Sequence, residues 1–163
     1  MLFRSVIGVL ATKGTFNGRL YNNTLHKYAS GAEVIEQVGD GLVELVEMGE
    51  YEGDKANKLL RRYIEPMLNA RADHIVLGCT HYPFLAMEIT KIIGNRAVIV
   101  DPAPAVAKHL LDIVSDRYVP NGCNGDIADR CSFYSTSDSK ILKMIATSIL
   151  PHIPDSKFSV ITI

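Results

Sequence analysis

Apolar runs alternate with amphipathic segments along the chain, and this alternation predicts strands and helices in turn. The runs predicted as strands are Val6–Ala11, Glu33–Val38, 74–78, 97–100, 131–135 and 158–163. The segments with helical spacing are 18–28, a long helix for which Asp54 is the candidate cap, 84–93, 104–118 and 137–150, which Ser137 is expected to cap. Strands that alternate with helices form βαβ units. We therefore predict an α/β fold with a mainly parallel sheet flanked by helices.

Polar side chains follow two of the predicted strands. Thr12 and Thr15 lie in a polar turn after the first strand, and Cys79, Thr80 and His81 follow the strand 74–78. Ligands of parallel α/β sheets usually bind just beyond the carboxyl ends of the strands. We therefore expect these five residues to share one edge of the sheet.

Composition removes several classes of function. The chain has 163 residues, 47% of them hydrophobic and 21% charged, which is typical of a globular domain. Its net charge is −1 and its basic residues are scattered, so nucleic acid is not an expected partner; those within 55–62 should form a solvated helix face. No apolar run approaches the roughly 18 residues of a membrane span, and the first residues do not resemble a secretion signal. We expect no membrane partner and a cytoplasmic location.

Three cysteines, Cys79, Cys123 and Cys131, make an odd number without close pairing, so we expect reduced thiols. Cys79 alone follows a buried strand at the start of a helix, where peptide N–H groups and the helix dipole favour an anion. His81 is placed to exchange a proton with it, and Thr80 supplies a hydroxyl and an amide. A small cysteine that merely packs is the competing interpretation of the local features.

Metal binding is not predicted. The four remaining histidines show no ligand spacing; they are His26, His74, His109 and His152. Cys123 and Cys131 flank a loop without a paired histidine motif, which argues against a zinc site there.

A resemblance to a known family sharpens this picture. The string Leu-Gly-Cys-Thr-His-Tyr-Pro-Phe-Leu at 77–85 resembles the second cysteine motif of glutamate racemases. Residues 7–15 are similar to the threonine loop of that family, and residues 100–107 resemble the segment after its cysteine motif. The ending from 133 onward is also similar. The resemblance runs in order over nearly the whole chain and is weakest at 36–47 and 119–130.

The resemblance implies a chemistry. Glutamate racemases are isomerases that interconvert L- and D-glutamate for peptidoglycan in cell wall biogenesis and cell shape, without pyridoxal phosphate or another cofactor. One thiolate removes the α-proton while a thiol on the opposite face donates one. By this resemblance Cys79 is the base acting on L-glutamate and His81 its proton-transfer assistant. Thr12, Thr15 and Thr80 are then ligands for the carboxylate or ammonium groups of the substrate.

The chain also departs from the family pattern. It lacks the opening strand that ends in Asp-Ser, the Pro-Tyr-Gly segment, and the Cys-Asn-Thr-Ala string with the other catalytic cysteine. Cys123 is followed by asparagine but does not follow a buried strand, so we do not take it as the second base. Glu47 aligns with a site glutamate of the family, but the residues before it differ, and its role stays open.

Family members have two lobes. Carried over, residues 1–100 form the second lobe with the Cys79 motif, and residues 101–163 are C-terminal elements of an otherwise missing first lobe. We therefore expect a truncated gene product or fragment that is inactive or impaired alone. The expected small-molecule partner is glutamate, with a homo-oligomer or a missing N-terminal half as the macromolecular alternatives.

Three other functions stay open. One is a related aspartate-type racemase, because the side-chain pocket is incompletely represented. Another is a non-catalytic amino-acid-binding remnant, which the missing cysteine favours. The last is a cysteine hydrolase with Cys79 as nucleophile and His81 as base, which ranks lowest because no third orienting residue is evident.

Overall fold

Four parallel strands form a sheet in the first part of the chain. The computed structural model describes residues 5–115 and 127–162. The strands β1 (Val6–Ala11), β2 (Glu33–Val38), β3 (His74–Leu77) and β4 (Val98–Val100) lie in the order β2-β1-β3-β4. All three strand pairings in this sheet are parallel. The strand order makes β1 and β3 the inner strands. The prediction of a mainly parallel α/β fold is confirmed.

Helices connect the strands. The structure contains α1 (Lys13–Phe16), α2 (Arg19–Tyr28), α3 (Leu42–Glu47), α4 (Asp54–Asn69), α5 (Ala86–Ile93), α6 (Ala103–Ser115), α7 (Ile127–Arg130) and α8 (Lys140–Ile149). Two 3₁₀ turns, Tyr82–Leu85 and Asp155–Lys157, precede α5 and the last strand. Among the described residues, no helix has the length and apolar character needed to cross a membrane.

The core of this part lies between the sheet and the helices α4 and α5. In α4 the side chains of Leu60, Ile64 and Met67 recur at helical spacing and are fully buried. Gly8 in β1 lets α4 approach closely, because a Cβ atom there would lie 2.6 Å from the Sδ atom of Met67. Burying side chains of this size contributes about 1.5–3 kcal/mol each. The inner strands are therefore held firmly from one side, which gives the loops after them a rigid base.

The local structure differs from the sequence prediction at several helix starts. Residues after Thr12 form the short helix α1 rather than an open turn, because the Thr12 side chain accepts a hydrogen bond from the Thr15 backbone N–H. Gly53, with φ of +85°, precedes α4, and Asp54 is the first helical residue rather than the cap. The helix α8 begins three residues after Ser137, at Lys140, whose N–H bonds to the Asp138 carboxylate at 3.0 Å. The helix α3 was not predicted at all.

Internal contacts divide the chain into two compact units, Met1–Leu110 and Leu111–Ile163. In the second unit, β5 (Phe133–Ser135) and β6 (Phe158–Val160) pair in parallel as a two-stranded sheet. The assignment of residues 1–100 and 101–163 to two racemase lobes remains a prediction. Most of residues 119–130, where the family resemblance is weakest, lie outside the described residues.

The described core of the second unit is small. Its buried cluster consists of Ala146 and Ile153, with Phe133, Leu150 and Phe158 packed against it. By contrast, the buried cluster of the first unit draws on the sheet, α3, α4 and α5. Local stability follows the apolar area that a segment buries. The second unit therefore has less to resist local opening.

The helix α6 has an apolar face that the described structure leaves open. Its side chains Val106, Leu110, Leu111, Ile113 and Val114 are between 41% and 67% exposed. Exposed apolar surface of this kind marks interfaces or association-prone regions. The missing first lobe that is expected from the sequence would leave this face without part of its cover.

We predict that the second unit exchanges its amide hydrogens faster than the sheet of the first unit. Amides of β5, β6 and α8 should exchange well before those of β1, β3 and α4, because few apolar side chains cover them. Hydrogen exchange followed by mass spectrometry on monomeric protein measures this directly. Equal protection of the two regions would show that the second unit is self-sufficient.

Candidate functional site

The carboxyl ends of β1 and β3 meet with little space between them. Leu10 and Leu77 are register partners, and the Gly78 N–H donates to the Leu10 carbonyl at 2.8 Å. A Cβ atom on Gly78 would lie 2.8 Å from the Cβ atom of Ala11. Only glycine therefore fits at this position without moving one of the strands. The loops that follow the two strands start side by side.

The threonine loop after β1 is hydrogen-bonded to the cysteine loop after β3. The Oγ1 atoms of Thr12 and Thr15 are 3.0 Å apart, and the Thr15 hydroxyl donates to the Gly78 carbonyl at 3.4 Å. Since that bond uses the single proton of Thr15, Thr12 must donate in the Thr12–Thr15 pair. Both hydroxyl protons are then engaged within the protein. Towards a ligand, the two hydroxyl groups can therefore act only as hydrogen-bond acceptors, through their oxygen lone pairs.

Cys79, His81 and Glu47 form a chain of contacts. The Cys79 Sγ atom lies 3.9 Å from His81 Nδ1, and His81 Nε2 lies 3.4 Å from a Glu47 carboxylate oxygen. In the tautomer that carries its proton on Nε2, the ring N–H faces the Glu47 carboxylate, which can only accept. In neutral His81 the Nδ1 atom then has a lone pair facing the thiol. The imidazole is thus oriented to accept a proton from Cys79.

Glu47 is the site residue that sequence reasoning did not place. It ends α3, and α3 packs against the 3₁₀ turn that follows His81. The contact joins residues 34 positions apart in the chain, so no local spacing could reveal it. The available signal was the alignment of Glu47 with a family glutamate.

Tyr82 anchors the cysteine loop from below. Its side chain is fully buried, and its hydroxyl donates to the Gly39 carbonyl at 3.2 Å. Burial raises the pKa of the Tyr82 phenol well above its ordinary value, and the neighbouring Cys79 adds to the effect. Tyr82 therefore stays protonated and acts as a structural tie. Gly39 has no room for a side chain, since a Cβ atom there would lie 2.5 Å from the Tyr82 hydroxyl.

A cleft of about 490 Å³ opens beside the cysteine. Cys79 and Thr80 form part of one wall, and Pro102 and Val106 at the start of α6 form part of the other. Cys79 is half-buried and Thr80 is exposed. Of the predicted site residues, these two face the cleft, whereas Thr12, Thr15 and His81 support it from outside its lining. The Thr15–Gly78 hydrogen bond brings the threonine loop and the cysteine loop to one edge of the sheet, as predicted.

Other candidate groups lie apart from this edge. Cys131 is half-buried and lies two residues before β5 in the second unit. Cys123 lies outside the described residues. Across 5–115 and 127–162 there is no group of three His, Cys, Asp or Glu side chains arranged to hold a metal ion.

The chain is similar in sequence to known proteins. Residues 1–110 match the model of the Asp/Glu/hydantoin racemase family. The glutamate racemase of Roseiflexus sp. strain RS-1 is 44% identical over 119 residues, which cover 73% of this chain and 44% of that protein. The glutamate racemase of Deinococcus radiodurans is 38% identical over 148 residues, covering 90% of this chain and 50% of that protein.

The fold has solved counterparts. The crystal structure of glutamate racemase from Francisella tularensis in complex with D-glutamate superposes with a TM-score of 0.81 at 22% identity. The match covers 97% of this chain and 58% of that one. The family match over residues 1–110 shows that the chain belongs to the Asp/Glu/hydantoin racemase family. It spans about half the length of the curated relatives that it matches.

We predict that Gly78→Ala destabilises the protein by about 1–3 kcal/mol, because the added methyl group overpacks the ends of β1 and β3. Gly31→Ala is the matched control, since a Cβ atom at Gly31 meets nothing within 4 Å. Urea unfolding of both variants measures the difference. If Gly78→Ala is as stable as Gly31→Ala, the close approach of the two strands is not a constraint.

Proposed function

We propose that this chain contributes one acid–base wall of a glutamate racemase, with Cys79 as the group that exchanges a proton with the α-carbon. The observation that carries the proposal is the contact series Cys79–His81–Glu47 at the carboxyl edge of the sheet. This series supports an arrangement in which the Cys79 thiol lies beside an open cleft and can pass its proton to His81. The family and the names of the relatives supply the substrate.

The reaction requires a base because the α-proton of an amino acid is only weakly acidic. The Cys79 thiolate takes the α-proton of L-glutamate and becomes a thiol, while the electron pair of the broken C–H bond remains on the α-carbon. Inversion is completed when a second acid delivers a proton to the opposite face. In the reverse direction the Cys79 thiol donates. No cofactor takes part in this proposal.

His81 is proposed to regenerate the Cys79 thiolate. When Cys79 is a thiol, the Nδ1 lone pair accepts its proton and regenerates the thiolate. Glu47 acts through His81 as a positioning residue, because its carboxylate holds the Nε2 proton and thereby fixes which nitrogen faces the sulfur. Loss of Glu47 would free the imidazole to turn.

The threonines are proposed as substrate ligands with different tasks. Thr12 and Thr15 have engaged hydroxyl protons and free lone pairs, which suits the substrate ammonium group better than a carboxylate. Thr80 is exposed on the cleft wall, and its hydroxyl makes no hydrogen bond within the described part of the chain. Its free donor suits a carboxylate of the substrate.

The second acid is proposed to come from another polypeptide chain. In the described part, Cys79 is the one cysteine at the carboxyl edge of the sheet, and the family string that carries the other catalytic cysteine is absent from the sequence. A separate N-terminal half or a second copy of the chain are the candidate suppliers. The same observation favours an alternative function, a remnant that binds an amino acid without turnover.

In the cell, the proposed product is D-glutamate for peptidoglycan. We place the reaction in the cytoplasm, where thiols stay reduced. A reduced Cys79 is required because a disulfide removes both the base and the acid.

One experiment separates these functions. We predict that the purified chain, tested as a monomer in D2O, slowly replaces the α-proton of L-glutamate with deuterium while the product stays L. One base is enough to remove a proton and return a deuteron to the same face, whereas inversion needs the opposite acid. Proton NMR measures the exchange, and chiral chromatography measures the configuration.

The controls assign the exchange to Cys79. Cys79→Ser should abolish the deuterium exchange, and Cys131→Ser should leave it unchanged. The glutamate racemase of Deinococcus radiodurans serves as the reference for full racemisation in the same assay. Exchange that survives Cys79→Ser excludes Cys79 as the base, and D-glutamate made by the monomeric chain alone excludes the single-wall proposal. No exchange above buffer would leave the non-catalytic remnant as the function.

A further inference from the structure

A second cavity, of about 510 Å³, lies between α3 and α4 and shares no lining residue with the cleft at Cys79. Leu45 and Leu59 form its apolar floor; Leu45 is 3% exposed and Leu59 packs against the core. Met48 at its edge is 64% exposed. The volume falls in the range of small-molecule sites, about 300–1,000 Å³. The cavity is therefore large enough for a compact organic ligand with an apolar body.

The rim of this cavity is basic. Lys55, Lys58 and Arg62 lie on one face of α4 and line the cavity, against a single lining acid, Glu44. Lys55 forms an ion pair with Glu50. Neither Lys58 nor Arg62 has an ion-pair partner within the part of the chain that the structure describes.

These two cations lie four residues apart on the helix. Like charges at this spacing repel each other and destabilise a helix slightly. An anion between Lys58 and Arg62 would relieve that repulsion. The Arg62 guanidinium also offers two parallel N–H donors, a geometry that matches a carboxylate.

We propose that this cavity binds a small amphipathic carboxylate, with its hydrocarbon chain on Leu45 and Leu59 and its carboxylate between Lys58 and Arg62. The two halves of the site select for this class together. A neutral apolar molecule leaves the two cations uncompensated, and a simple anion leaves the apolar floor in water. The site does not depend on the role of Cys79.

The test uses octanoate, octanol and acetate as probes of the full chain. Two-dimensional amide NMR titrations should show octanoate shifting resonances of α3 and of the first half of α4. Octanol, which has the same chain without the charge, should bind at least about fivefold more weakly, in line with a carboxylate held by two cations. Acetate, which lacks the chain, should cause no saturable shift there.

Variants locate the carboxylate. Lys58→Gln combined with Arg62→Gln should weaken octanoate binding at least about fivefold and leave octanol binding unchanged, since only the charged contact is removed. Both side chains are exposed, so the fold should persist, and the amide spectrum checks this. Lys27→Gln removes an exposed cation from α2 as the matched control and should change neither affinity.

Three results would overturn the proposal. Octanoate and octanol binding equally, acetate saturating the same amides, or an unchanged octanoate affinity in the double variant would each show that the cavity does not recognise an amphipathic carboxylate. Octanoate shifts confined to other parts of the chain would do the same.

Discussion

The close approach of β1 and β3 at Gly78 is the constraint on which the site depends. The strand ends touch because Gly78 has no side chain, and its N–H bonds to the Leu10 carbonyl at 2.8 Å. That contact places the threonine loop against the cysteine loop, so the Thr15 hydroxyl reaches the Gly78 carbonyl at 3.4 Å. Because α4 presses its buried side chains on the same strands, neither loop can move without disturbing the core.

A second contact, made by Tyr82, helps to position His81 beside Cys79. The buried Tyr82 hydroxyl bonds to the Gly39 carbonyl, which joins the cysteine loop to the segment that leads into α3. The helix α3 in turn ends at Glu47, whose carboxylate contacts His81. The motif Cys-Thr-His-Tyr-Pro therefore contains two kinds of residue: Cys79 and His81 are proposed to carry the chemistry, whereas Tyr82 holds the loop that presents them.

The sequence predicted the strands of the first sheet well because each is an apolar run bounded by polar turns, as in β1 and β3. It also predicted the Cys79–His81 contact, which is local. It missed α3 for two reasons. Six residues are too few for a clear helical period, and the residue before the helix is Gly41, a residue type that indicates a turn and that has φ of +82° here. The Glu47–His81 contact could not be predicted from spacing, since it depends on how α3 packs in three dimensions. The prediction that Ser137 caps α8 was wrong, because the neighbouring Asp138 carboxylate accepts the hydrogen bond from the Lys140 N–H instead.

The central claim is that this arrangement makes Cys79 a thiol with a built-in proton acceptor. The most direct measurement is the rate of iodoacetamide alkylation at each cysteine of the folded protein, followed by peptide mass spectrometry. The account predicts that Cys79 reacts faster than Cys123 and Cys131, that His81→Asn slows Cys79 and that Glu47→Gln slows it less, with Cys131 unchanged as the internal reference. A Cys79 rate that is unaffected by His81→Asn, or that is lower than the Cys131 rate, would contradict it.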